Sequence, residues 1–244
     1  MKPNDFTYFP LGDSSFLIKV GNEISLECHK LIRALVLAIN KEKIEGVVEL
    51  IPAYNELMLI YNPLEINYTK LVDTLKEIEK NLNPDSLPPS TIIHIPVCYE
   101  TEFAPDLEIV AEKNNLTKNE VIKHHSSIDY LVYMLGFTPG FCYLGGMDSR
   151  IVTPRKESPR KVVESGSVGI AGNQTGIYPI DSPGGWQIIG KTPIKLFDTE
   201  RDNPFLIEAG NYIKFDSITL AEFDQISDLI KIGNYAIRKE SKLG

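Results

Sequence analysis

Residues 136–193 read GFTPGFCYLGGMDSRIVTPRKESPRKVVESGSVGIAGNQTGIYPIDSPGGWQIIGKTP, and they are the most informative part of the sequence for the fold of the second half of the chain. Eleven of the seventeen glycines lie between Gly136 and Gly190. They separate short strand-like pieces at residues 168–171, 186–189 and 194–197. Many short strands joined by glycine-rich turns are typical of a barrel or a sandwich.

The rest of this domain is predicted to supply strands at residues 91–99 and 128–135, with helices near 105–113 and 118–125. Thr117 and Glu120 have the spacing of a capping box, and so do Thr219 and Glu222 before a late helix. The sequence therefore predicts a mainly β domain with a few helices.

The first part of the chain has a different pattern. Strands are predicted at residues 14–20, 46–51 and 57–61, with one helix marked by Ile24, Cys28, Leu31, Leu35 and Ile39 and another marked by Leu71, Leu75, Ile78 and Leu82. Asn67 is a candidate N-cap for the second helix. The order strand, helix, strand, strand, helix favours a small α+β domain with helices on one side of an antiparallel sheet.

Residues 81–90, NLNPDSLPPS, contain three prolines and form the clearest break in the pattern. We place the domain boundary there. The predicted domains are residues 1–88, the α+β domain, and residues 89–244, the mainly β domain.

Composition limits the function. The net charge of -8 argues against general nucleic-acid binding, which needs a basic surface. Three widely spaced cysteines, Cys28, Cys98 and Cys142, favour reduced thiols over a disulfide framework. No signal-peptide pattern and no apolar stretch of about 20 residues is evident. We therefore expect a cytoplasmic protein that does not enter a membrane.

The glycine-rich stretch is locally basic. Residues 148–161 carry five basic and two acidic side chains. Arginines there could bind carboxylates or phosphates in a forked geometry, although a solvated basic loop is the simpler alternative. The glycines could bring backbone N–H groups to an anion, or could merely form tight turns. Trp186, the single tryptophan, could flank a planar amide, or could belong to the core.

Other chemistries have weaker support. Residues 185–192 fit the P-loop pattern, but that motif needs a following helix, and the next residues look extended. Adjacent His124 and His125 would point in different directions on a helix, so a metal site is not expected.

Three segments resemble the family that contains the 5-oxoprolinase B subunit and KipI, which is also described as allophanate hydrolase subunit 1. They are YMLGFTPGFCYLGG at 133–146, TPRKESPRK at 153–161 and GSVGIAGNQTGIYPIDSPGGWQIIGKTP at 166–193. PLGDSS at 10–15 and IPVCYETEFAPDLEIVAEKNNLT at 95–117 also fit, so the resemblance covers essentially the whole chain.

The resemblance implies a cyclophilin-like β-barrel for the second domain and two partners, the C and A subunits of 5-oxoprolinase. It also implies ATP-dependent opening of 5-oxo-L-proline to L-glutamate, with ATP as co-substrate of the complex and no cofactor bound to this chain. The chain would be inactive alone. The alternative function is inhibition of a sensor histidine kinase, as in KipI. A prolyl isomerase is a remote third, because fold alone does not transfer activity.

Carried onto matching positions, the resemblance implies His125, Arg155 and Arg160 as catalytic residues and no metal ligand. His125 would transfer a proton, and the two arginines would hold an anionic group. The implied substrate-binding residues are Gln174, Thr175, Tyr178, Gly184, Gly185 and Trp186.

The sequence departs from the family pattern at two positions. Proline is usual where Glu164 stands, and arginine is common where Lys191 stands. Lysine keeps the charge at position 191 but loses bidentate geometry.

Overall fold

A computed structural model describes residues 6–242 as two compact units, one ending at Pro88 and the other beginning at Pro89. The first unit contains the strands β1 (Phe6–Pro10), β2 (Ser15–Val20), β3 (Val47–Pro52) and β4 (Glu56–Tyr61) and the helices α1 (Leu26–Glu42) and α2 (Tyr68–Lys80). The strands form an antiparallel sheet in the order β1-β2-β4-β3.

Alternate side chains explain how this sheet is covered. Phe16 and Ile18 of β2 and Leu57 and Leu59 of β4 are fully buried, and they share one core with both helices. Successive strand residues point to opposite faces, so this core occupies one side of the sheet. The predicted antiparallel sheet is confirmed.

The helix starts follow from local chemistry. Asn67 caps α2 as predicted, because its side chain accepts a hydrogen bond from the Lys70 N–H at 2.9 Å. Ser25 caps α1 in the same way. Ile24, assigned to that helix from its spacing, precedes the cap and is exposed.

The second unit contains ten strands and three α-helices in its described part. The strands are β5 (Ser90–Cys98), β6 (Asp129–Leu135), β7 (Cys142–Gly145), β8 (Arg160–Val163), β9 (Ser167–Ala171), β10 (Gln174–Ile177), β11 (Ser182–Gly184), β12 (Gln187–Lys191), β13 (Tyr212–Ile218) and β14 (Lys239–Lys242). The helices are α3 (Leu107–Lys113), α4 (Lys118–Ser126) and α5 (Leu220–Lys231).

Eight of these strands form one sheet in the order β10-β9-β12-β5-β13-β6-β7, with β14 paired to β5. The end strands β10 and β7 lie beside each other, so the sheet curls into a nearly closed barrel. β8 and β11 form a separate two-stranded ribbon. The unit is thus a mixed α/β structure built on a barrel-like sheet.

Both predicted capping boxes are present. Thr117 with Glu120 begins α4, and Thr219 with Glu222 begins α5. No helix within residues 6–242 is long and apolar enough to cross a bilayer.

One predicted strand is wrong. Residues 194–197 form no strand, and only Phe197 makes a bridge, to Phe205. Ile194 and Leu196 are apolar because they fill the core from an irregular segment. The apolar pattern that predicted a strand here reflects the burial of these two side chains and not pairing with another strand.

Candidate functional site

The barrel sheet has two buried faces, and they separate the residues implied by the resemblance. Ile170 and Ile177 belong to the inner core, whereas Tyr178 and Trp186 belong to a second cluster. Thr175 lies directly opposite Ile170 and therefore faces inward. Strand alternation then places Gln174 and Tyr178 on the outer face.

The outer cluster is aromatic. Phe141 and Tyr178 meet Trp186 nearly edge-on, with ring centroids 5.7 Å and 6.1 Å from it. Gly176 of β10 makes room for this ring, since an added Cβ would lie 3.2 Å from the indole. Trp186 is only 7% exposed, so it is chiefly part of the packed cluster rather than an open platform.

Cations line one side of this cluster. Arg160 donates from Nη2 to Asp106 Oδ1 at 2.7 Å and from Nη1 to the Trp186 carbonyl at 3.3 Å. Lys156 Nζ reaches the same Asp106 oxygen at 3.2 Å. Asp106 is 2% exposed, whereas both cations remain about a quarter exposed at 26%. They therefore neutralise a buried carboxylate and still face solvent.

The Asp106 carboxyl stays ionised for a definite reason. Burial acts to raise its pKa, but hydrogen bonds from Arg160, from the Ile188 N–H and from Lys156 outweigh burial and hold the pKa below its usual value.

The Tyr178 hydroxyl lies in the same region as these cations. Burial raises the pKa of this phenol, against the lowering effect of the Trp186 N–H and of the nearby Arg155 and Arg160 charges. The phenol is therefore protonated near neutral pH and can donate a hydrogen bond. Gly184 permits the arrangement, because an added Cβ there would lie 2.3 Å from the Tyr178 Oη.

The basic segment, residues 148–161, is hydrogen-bonded to the backbone just after β11, the second strand of the ribbon. The Gly185 carbonyl accepts a hydrogen bond from the Lys156 N–H at 2.7 Å. Arg155 is exposed, and its charge acts on Tyr178. The structure therefore brings together Arg155, Arg160, Tyr178, Gly184, Gly185 and Trp186, with Gln174 on the same face of the sheet.

His125 and Thr175 lie elsewhere, in the inner core. Thr175 Oγ1 donates to the Gly169 carbonyl at 3.0 Å, so it must accept from His125 Nε2 at 2.8 Å. His125 Nδ1, lacking the proton, then accepts from the Tyr99 hydroxyl at 2.8 Å. Both nitrogens of His125 and the Thr175 hydroxyl therefore have hydrogen-bond partners.

Burial has a large effect on this imidazole. His125 is 0% exposed and stacks on Phe215 at 4.5 Å between centroids. Desolvation lowers its pKa to about 3. A side chain with both nitrogens bonded and no access to solvent is poorly placed for proton transfer at the outer face, so that role stays a prediction.

The two departures from the family pattern are partners. Lys191 forms an ion pair with Glu164. The carboxylate is exposed, which limits the pair to a small contribution to stability. This ion pair therefore accounts for both departures from the family pattern, and neither residue needs a role in the site.

Sequence reasoning missed two residues of the site. Lys156 lies in the basic segment, where its residue type does not distinguish it from its neighbours. Asp106 begins α3 and reads as an ordinary helix start. A signal was available, because the apolar surroundings of Asp106 in FAPDLEIVA mark a carboxylate that needs a partner.

The P-loop pattern at residues 185–192 lacks the secondary structure that this motif needs. β12 ends at Lys191 and is followed by an irregular segment instead of the helix that a P-loop needs. His124 Nδ1 lies 3.3 Å from Asp148 Oδ2. Across residues 6–242 no cluster of three or more potential metal ligands occurs.

Comparison with known proteins agrees with this architecture. The model of the carboxyltransferase domain, subdomain C and D, matches residues 6–207. A 5-oxoprolinase B subunit from Bacillus subtilis is 43% identical over 224 residues, covering 87% of this chain and 93% of the relative. The chain belongs to the family of 5-oxoprolinase B subunits.

Two solved structures extend the likeness of this family member. A conserved uncharacterized protein from Pyrococcus horikoshii shares 48% identity with a TM-score of 0.53, covering 89% of this chain and all of the other. The Kluyveromyces lactis urea carboxylase gives a TM-score of 0.77 at 22% identity, with 97% of this chain matching 24% of that one. The second likeness shows the fold alone.

Proposed function

We propose that this chain is the B subunit of an ATP-dependent 5-oxoprolinase, acting with the A and C subunits to open 5-oxo-L-proline to L-glutamate. The observation that carries the proposal is the match to a 5-oxoprolinase B subunit over nearly the full length of both proteins. The outer-face site is compatible with it, because it combines cations with a hydroxyl donor beside an aromatic wall.

The chemistry needs such groups. A lactam resists hydrolysis until its carbonyl is activated, and transfer of the γ-phosphoryl of ATP to the lactam oxygen would release ADP and leave a phosphorylated ring. Water attack on the ring carbon would give a tetrahedral intermediate, and cleavage of its C–N bond, with protonation of the nitrogen, would leave a γ-glutamyl phosphate. A second water would then hydrolyse this acyl phosphate to glutamate and phosphate. Arg155, Lys156 and Arg160 would stabilise the negative charge on the phosphoryl oxygens.

Tyr178 would act in the same step. Its hydroxyl can donate to an oxygen that gains charge, while packing against the Phe141 and Trp186 rings holds the phenol in place. ATP is then a co-substrate of the complex, and this chain needs no bound cofactor. Because the cations face solvent on one side, we infer that the C subunit completes the site and that this chain is inactive alone.

The finer fold assignment is also a proposal. We propose that residues 1–88 and 89–244 are separate domains and that the second is a cyclophilin-like barrel carrying the site. The two compact units and the curled sheet support this. Limited proteolysis should cut within residues 81–90 and release two protected fragments.

The test is reconstitution. Glutamate formation from 5-oxoproline and ATP is measured with the purified A and C subunits, with and without this chain, and with this chain alone. We expect turnover only in the complete mixture. Equal turnover without this chain would refute the proposal, and autophosphorylation of a sensor histidine kinase would then be the next assay. Turnover by this chain alone would refute its dependence on the partners.

A further inference from the structure

Asp106 begins a helix without capping it. It occupies the N-cap position of α3, where an aspartate side chain ordinarily accepts a hydrogen bond from the N–H two or three residues later. Here the side chain makes no such bond. The carboxylate is directed instead toward β12 and the basic segment.

The two carboxylate oxygens have different partners. Oδ2 accepts from the Ile188 N–H at 2.7 Å, and the Asp106 N–H donates to the Ile188 carbonyl at 2.9 Å. These reciprocal bonds fix the residue against β12. Oδ1 is left to the cations, Arg160 at 2.7 Å and Lys156 at 3.2 Å.

Trp186 of the aromatic cluster immediately precedes the same strand. Arg160 spans from Asp106 to the carbonyl of Trp186, two residues before Ile188. The guanidinium is therefore held at two points, by a buried charge and by the backbone of the tryptophan. A flexible arginine that must order its side chain at each turnover would lose rotamer entropy each time, and a prearranged one does not.

Stability alone does not account for this carboxylate. A buried charge loses its hydration, and replacing a buried ion pair by apolar groups is often neutral or stabilising. Asp106 also forgoes a cap, which is worth about 1 kcal/mol. A carboxylate retained under these costs, with two cations that stay open to solvent, suits a role in arranging those cations.

We propose that Asp106 is a positioning residue that holds Arg160 and Lys156 at the outer-face site, in readiness for an anionic group. Its effect on turnover rests on the proposed function, but its effect on the geometry of Arg160 does not. The two can therefore be tested separately.

The first test needs no substrate. In the purified chain, NMR of the guanidinium N–H groups reports whether Arg160 rotates freely, with Arg160→Lys used to assign the signals. We expect restricted, resolved signals in the wild type and averaged signals in Asp106→Asn. Asp106→Ser is the second variant, because serine can still cap α3 but cannot reach the guanidinium.

A matched control exists in the same unit. Asp198 also contacts a lysine and an arginine, Lys195 at 3.6 Å and Arg201 at 3.9 Å, and also accepts from a backbone N–H. Asp198→Asn should leave the Arg160 signals unchanged. Unaltered Arg160 signals in both Asp106 variants would overturn the proposal.

The second test uses the reconstituted complex. Asp106→Asn should lower kcat/KM about 10- to 100-fold, in the range typical of groups that orient a functional side chain. In an Arg160→Ala background, Asp106→Asn should lower kcat/KM by a smaller factor than it does in the wild type. The two factors should differ by more than about 2-fold, which is the agreement expected for independent sites. Asp198→Asn should match the wild type.

The outcomes are distinct. If the wild-type complex does not turn over 5-oxoproline, the proposed function fails and the NMR arm alone decides the role of Asp106. If the complex is active and Asp106→Asn is as active as Asp198→Asn, or if its loss is unchanged in the Arg160→Ala background, the positioning role is overturned.

Discussion

The inner and outer faces of β10 differ in chemistry although they are only one residue apart. On the inner face, Thr175 completes a closed chain of hydrogen bonds with His125 and Tyr99. On the outer face, just past the end of β10, Tyr178 feels the charges of Arg160 and of the exposed Arg155. Thr175, His125 and Tyr99 all have hydrogen-bond partners within the protein, whereas the outer cations outnumber their buried carboxylate. This contrast supports the proposal that the site lies on the outer face, while the inner polar groups maintain the barrel.

Arg160→Ala should have the largest effect. Removing a donor that stabilises developing charge costs about 10²–10³ in rate, and we expect that loss in kcat/KM of the reconstituted complex. Arg150→Ala is the matched control, since Arg150 lies in the same basic segment but pairs with Asp148 at 2.6 Å. Similar activities for the two variants would remove the outer face from the mechanism.

His125→Gln should act on stability instead. The substitution leaves inner hydroxyls without a full set of partners, which costs about 2 kcal/mol in the free energy of unfolding. Chemical denaturation measures this. Activity per folded molecule should stay near that of the wild type. A loss of about 100-fold or more in the folded variant would instead support the proton-transfer role implied by the resemblance.

Acid should weaken the inner face through the same residue. The His125 pKa is lowered from 6.5 to about 3, so the unfolded chain binds a proton that the folded chain refuses across this window. The resulting stabilisation is fully present above about pH 6.5 and is lost as pH falls toward 3. Denaturation midpoints from pH 7 to pH 4 should fall more steeply for wild type than for His125→Gln. Parallel curves would contradict this account.

Glu164→Ala should have the smallest effect. The pair with Lys191 is exposed on the carboxylate side, at 72% of its side-chain area, and exposed pairs contribute about 0–1 kcal/mol. We expect the melting temperature and the activity to remain close to the wild-type values. A large loss of activity would show that this departure from the family pattern belongs to the site.

The sequence was informative where a pattern reflects local physics. The helix caps at Asn67, Thr117 and Thr219 are set by hydrogen bonds within one turn, so spacing alone predicts them. β14 could not be predicted in this way. Its sequence, KESK, is entirely polar, and the strand exists because distant β5 offers an edge for pairing.

The site was predictable in part for a related reason. Arg155 and Arg160 stand out because a basic segment within an acidic chain is a compositional signal. The separation of Thr175 from Tyr178 depends on the phase of a four-residue strand, and the burial of His125 depends on contacts across the barrel. Asp106 was missed because its apolar surroundings indicate only that it needs a partner, and its helix-start pattern does not show which cations meet it in three dimensions.

The most direct test compares two lost hydroxyls on the two faces, Thr175→Val and Tyr178→Phe, in the reconstituted complex. Each variant keeps nearly the shape of the original side chain. The account predicts that Tyr178→Phe lowers kcat/KM at least about 10-fold with little change in stability. It predicts that Thr175→Val lowers stability by about 1–3 kcal/mol with activity per folded molecule preserved. The reverse pattern would place the chemistry inside the barrel and contradict the account.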